Sequence, residues 1–98
     1  MVNEVVSNLE GFVRAHFRVK SDDHYFNMDV NLWEEGYVDS TGAIEMIAYL
    51  ESTYGIALSQ EVLFDPDFTT VRGIGRLVVR TLEQRMSHTN HLLSRTIA

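Results

Sequence analysis

An all-α fold is what this sequence predicts: a bundle of three main helices plus one short helix, with a long first loop. Three observations carry the prediction. Apolar residues recur at helical spacing in three stretches, beginning near Val2, Ser40 and Val71. Residues that start or stop helices punctuate them: Gly55 follows Tyr54, and Thr69 and Thr70 precede Val71. The one alternating segment, Met28, Val30 and Leu32, has no partner strand elsewhere, so no sheet is expected.

From Val2 to about Arg18, the residues Val2, Val5, Val6, Leu9, Phe12, Val13 and Phe17 line one helical face. Gly11 weakens that helix locally, because glycine costs about 1 kcal/mol against alanine. Glu4 lies near the start, and Arg14, Arg18 and Lys20 lie near the end, as the macrodipole favours.

Residues 21–39 show no sustained period. A long loop in a small domain needs anchors or a function, and Leu32 and Trp33 are the expected anchors. From Ser40 to about Tyr54 a second helix is predicted. Ile44, Ile47, Leu50 and Tyr54 would face the core, with Met46 and Ala48 at the margins. Gly55 stops it by taking the left-handed conformation at low cost. A short helix over 59–64 follows, with Ser59 as cap and Val62 and Leu63 inward. Asp65-Pro66-Asp67 ends it, since proline disfavours helix in the residue before it.

Thr69 or Thr70 caps the last helix, whose inward face is Val71, Ile74, Leu77, Val78 and Leu82. Gly73 and Gly75 lie on or near that face. With Ala48 they suit either a cargo pocket between the second and last helices or plain close packing. Residues 1–86 form the expected domain, and residues 87–98 a polar, mobile tail.

The 98 residues suit one domain with one core, since 45% of them are hydrophobic. The absence of cysteine excludes a disulfide framework and protein-borne thiolate chemistry. No apolar run approaches a membrane span, and the first residues lack a signal-peptide pattern, so a soluble, cytoplasmic protein is expected. The net charge is -6, and all eight Lys and Arg lie outside the interval 21–71, which holds eleven acids. An acidic middle repels nucleic acid and attracts basic protein surfaces.

Ser40 stands where the loop gives way to a helix, a position that favours Ser because its oxygen accepts an unpaired N–H. A helix N-terminus also stabilises negative charge, so a serine there is well placed to carry a phosphate ester.

Asp39-Ser40 and the amphipathic run to Tyr54 resemble the acyl carrier and peptidyl carrier protein family. Further parts of the pattern are Leu32-Trp33-Glu34-Glu35-Gly36-Tyr37-Val38 leading in, Tyr54-Gly55-Ile56-Ala57-Leu58 leading out, and Asp67-Phe68-Thr69-Thr70-Val71 opening the last helix. The likeness runs from about Asn31 to Val78. Thr41 and Gly42 depart from the leucine-containing motif of fatty-acid carriers. That departure looks closer to stand-alone aminoacyl and D-alanyl carriers.

The resemblance implies a monomeric substrate shuttle rather than an enzyme, in an acyl-carrier-like bundle whose long first loop ends at the modified serine. A phosphopantetheinyl transferase would move 4′-phosphopantetheine from coenzyme A onto Ser40, with Asp39 helping the modification. The thiol of the arm would hold an acid as a thioester, which explains how a cysteine-free chain serves thiol chemistry. The acid would come from an acyl- or amino-acid-adenylating ligase and pass to a downstream condensing or transferring enzyme. Thr41, Glu45, Met46, Ala48, Glu51 and Ser52 match the family's partner-contacting positions. Met46 also suits the core, where helical methionine usually sits.

A different class of function is an unmodified helical interaction module with the same fold. Other motifs are incomplete. Gly73-Ile74-Gly75 lacks a preceding strand and a third glycine. His88 and His91 lack further ligands for a metal. Asp65-Pro66-Asp67 lacks a calcium-loop pattern. No Gly-x-Ser-x-Gly elbow surrounds Ser40.

Overall fold

The structure, a computed structural model, describes the backbone of residues 2–97 and the side chains of residues 2–84. Three α-helices and two 3-10 turns make up its regular structure: α1 (Val2–His16), α2 (Ser40–Tyr54), η1 (Gln60–Phe64), η2 (Pro66–Thr69) and α3 (Val71–Ile97). There is no strand among the described residues. α3 runs past the expected boundary at residue 86. Side chains 85–98 lie outside the described residues, and with them the expected mobile tail, His88 and His91.

α1 packs against α3, and η2 packs against α3. The core joins Val5, Val6, Leu9 and Val13 of α1 to Ala43, Met46 and Leu50 of α2 and to Val71, Ile74 and Val78 of α3. Each large apolar side chain fully removed from water contributes about 1.5–3 kcal/mol. Leu9, Leu32, Met46, Leu50, Phe68 and Ile74 are all fully buried.

The predicted inward face of α2 is rotated. Ile44, expected inside, is 62% exposed, whereas Met46, expected at the margin, is fully buried. Ile47 and Tyr54 are half-buried. The cause is an apolar content that nearly encircles the helix, so period alone does not select a face.

The long first loop is tied down at several points. Leu32 donates its backbone N–H to Thr69 O at 2.7 Å, and the Trp33 indole donates to Phe68 O at 3.2 Å. These contacts bear out the two expected anchors. Further ties come from Tyr37, whose hydroxyl donates to Asp23 at 2.7 Å, and from Arg72, which pairs with Asp29 at 2.8 Å. Gly36 has φ 78°, a turn conformation that glycine adopts without strain.

Gly55 ends α2 as expected, with φ 63° and its N–H on Glu51 O. Thr70 caps α3 by accepting Gly73 N–H at 2.9 Å. One local expectation is corrected: Ser59 stands before η1 but makes no side-chain capping bond. η1 ends at Asp65 as expected, and Asp65 also caps η2 by accepting Asp67 N–H at 2.9 Å.

The two glycines of α3 serve close packing rather than a cargo pocket. A Cβ on Gly75 would stand 2.6 Å from Val6 Cγ2, and one on Gly73 would stand 2.3 Å from Asp67 O. Ala48 faces solvent instead of that space.

Candidate functional site at the start of α2

Asp39, not Ser40, is the N-cap of α2. Its backbone is extended at φ -104° and ψ -176°, and its carboxylate accepts Gly42 N–H at 2.7 Å. Two adjacent residues of capping type competed, and the carboxylate won. A negative charge at this end is also favoured by the helix dipole. Ser40 is thereby the first helical residue, with its side chain exposed. Gly42 N–H is taken by Asp39, whereas the amides before it in the first turn precede the helical ladder and suit an anion at this end of the helix.

The turn is held from below by α1 and by Phe17, the residue that follows that helix. The Phe17 ring lies where a Gly42 Cβ would stand, 2.6 Å from that position. Phe12 stacks on Tyr49 of α2 with ring centroids 4.1 Å apart, and on His16 at 4.8 Å. His16 Nε2 meets the Glu45 carboxylate. The departure from the fatty-acid pattern at Gly42 therefore has a local cause: an aromatic ring occupies the space of a side chain.

Thr41, Glu45, Ala48 and Ser52 form an exposed stripe along α2. Their spacing of four, three and four residues keeps them on one side. Met46 is a correction to this set, because its side chain is fully buried and cannot meet a partner. Glu51 is half-buried and accepts Leu58 N–H at 3.0 Å, so its carboxylate serves the linker after α2. Exposed Ile44 joins the stripe, lying three residues after Thr41 and four before Ala48.

A groove of about 460 Å³ opens beside Ser40. Trp33 and Glu34 of the first loop form one wall; Leu63, Phe64 and Pro66 form the other. Sequence reasoning missed this groove and the exposure of Phe64, which is 86%. The apolar triplet Val62-Leu63-Phe64 in so short an element was the signal available, since one turn cannot bury all three. A larger groove, about 590 Å³, lies between η1 and α3 and does not include Ser40.

The exposed hydroxyl, the capped first turn and the adjoining groove fit a serine that carries a long substituent without disturbing the core. A family model described as the phosphopantetheine attachment site matches residues 18–78. The D-alanyl carrier protein of Lacticaseibacillus casei (strain BL23) is 42% identical over 36 residues, which are 37% of this chain and 44% of that protein. The similarity thus spans less than half of that relative. The chain belongs to the phosphopantetheine attachment-site family, whose members are carriers rather than catalysts and bear covalently attached 4′-phosphopantetheine.

Proposed function

We propose that this member of the family is a stand-alone aminoacyl or acyl carrier whose arm is attached to the Ser40 oxygen. The observation that carries the reading is Ser40 itself: an exposed hydroxyl on the first turn of α2, inside the matched residues. Asp39 holds that turn through Gly42 and so positions the hydroxyl for a phosphopantetheinyl transferase acting with coenzyme A. The arm, when bound, supplies the thiol on which an acid is held as a thioester.

An adenylating ligase loads the acid, and a downstream enzyme takes it up. The similarity to a D-alanyl carrier supports an amino acid as cargo. Partner enzymes meet the stripe of Thr41, Ile44, Glu45, Ala48 and Ser52, a mixed surface with one carboxylate.

The test is loading. The protein, first treated with coenzyme A and a permissive transferase, is offered ATP and amino acids with amino-acid-activating ligases, beside malonyl transfer as a contrast. Thioester formation with an amino acid, lost in Ser40→Ala at unchanged helicity, is the expected result. Loading retained in Ser40→Ala overturns the site. Efficient malonyl loading without any amino-acid loading overturns the cargo class.

A further inference from the structure

We propose that His16 of α1 is an internal competitor for the partner surface. It occupies the Glu45 carboxylate and one face of the Phe12 ring, and a guanidinium from a partner enzyme displaces it to dock there. The inference rests on the reading of the α2 stripe as the surface that partners meet.

Glu45 is the carboxylate that the exposed stripe offers, since Glu51 is turned to Leu58 N–H. Yet Glu45 is already engaged from inside the molecule. His16 Nε2 meets it from α1, 29 positions earlier in the chain. An ionised carboxylate only accepts, so Nε2 is the donor in that contact.

Ring contacts hold the imidazole in place. It stacks on Phe12 at 4.8 Å and meets the Phe17 ring edge-on at 5.0 Å. Phe12 is itself fixed by stacking on Tyr49 at 4.1 Å. A side chain so confined gives up little further rotamer freedom when it binds Glu45, which makes it an effective competitor. Both members of the pair still face solvent, because the His16 and Glu45 side chains keep 40% and 47% of their surface in water. An exposed pair of this kind is weak, so an outside group can break it.

The chemistry of the vacated place selects that group. Glu45 offers two acceptor oxygens, and the Phe12 ring face lies beside them. A guanidinium gives parallel N–H donors to a carboxylate and stacks its plane on an aromatic face. An ammonium makes the charge contact but has no plane to stack. Arginine is thereby favoured over lysine, and the end of α1 becomes part of the surface that discriminates between partners.

The experiment compares wild type, His16→Ala, Glu45→Gln and the double variant, with circular dichroism as the check on folding. Binding of N-acetyl-argininamide is followed by NMR, with N-acetyl-lysinamide as contrast; this readout does not involve Ser40. Modification by coenzyme A and a broad-specificity phosphopantetheinyl transferase is then followed, with KM for the carrier separated from kcat. His16→Ala is expected to bind the arginine probe about two- to fivefold more tightly than wild type, as an exposed ion pair and ring contact allow. The lysine probe should change less. KM should fall in His16→Ala and rise in Glu45→Gln, with kcat unaltered, and the double variant should lose the advantage of His16→Ala. Equal binding of the arginine probe by wild type and His16→Ala overturns the competition, as does an advantage that survives Glu45→Gln. An unaltered KM in His16→Ala overturns the role of His16 in docking. Absence of any modification overturns the Ser40 reading instead, and the arginine probe still decides for or against His16.

Discussion

The Asp39 carboxylate accepts the Gly42 N–H at 2.7 Å and so begins α2 one residue ahead of Ser40. Loss of this bond frees a first-turn donor. Asp39→Ala is expected to cost about 1 kcal/mol of stability, the usual effect of removing an N-cap. Urea denaturation measures it, and Asp39→Asn should retain most of the stability because its oxygen still caps. An unaltered midpoint in Asp39→Ala would remove the cap from the account.

Gly42→Ala runs against the ordinary preference for alanine in helices. Elsewhere the exchange stabilises by about 0.5–1 kcal/mol. Here the added Cβ meets Phe17 at 2.6 Å, so the ring must move out of its packed position. The expected outcome is a lower thermal midpoint, relieved when Phe17→Leu is combined with it. A raised midpoint in the single variant would show that Phe17 does not pack there.

The rotated face of α2 gives a paired prediction. Met46→Ala empties a fully buried site and should cost about 2–5 kcal/mol. Ile44→Ala alters an exposed residue and should leave stability within about 0.5 kcal/mol. Loading by a partner ligase is expected to weaken in Ile44→Ala. The reverse order of stability effects would restore the face that sequence periodicity favoured.

The first loop carries a pH signature. The Tyr37 hydrogen bond holds the Asp23 carboxyl below its ordinary value of 3.8, and the Arg72 hydrogen bond does the same for Asp29. Carboxyls depressed by folding add stability above their unfolded pKa, and that stability is lost as pH falls through the lower, folded values. The Asp23 contact has the opposite effect on Tyr37, whose pKa is pushed up to about 12. That contribution is present below the ordinary 10.0 and disappears as pH rises through about 12. Ultraviolet titration should therefore show a tyrosine titrating at about 12 that is absent in Tyr37→Phe, beside Tyr49, which burial also pushes up. Asp23→Asn and Asp29→Asn should each flatten the fall in stability below about pH 4. A set of tyrosines all titrating near the ordinary value would deny the Tyr37–Asp23 contact.

Much of this was legible in the chain. The α1 stripe, the Gly55 stop, the Thr70 cap and the Leu32 and Trp33 anchors each depend on residues close in sequence or on strong local preference. Ser40 was legible as the start of a helix, but the cap was not, because Asp39 and Ser40 have equal claims to it and the structure gives it to Asp39. The loop's polar ties were not legible. Tyr37 reaches Asp23 across 14 residues and Arg72 reaches Asp29 across 43, and no local pattern announces such pairs. The groove escaped for the same reason, since its walls come from Trp33 and from Leu63 and Phe64, which only the folded chain brings beside Ser40.

The most direct measurement is the intact mass of the protein after incubation with coenzyme A and a broad-specificity phosphopantetheinyl transferase, followed by mapping of the modified peptide. The account predicts a gain of one phosphopantetheine, located on Ser40. No gain, with the transferase active on a control carrier and this protein folded, would contradict it and favour a carrier-like interaction module that is never modified.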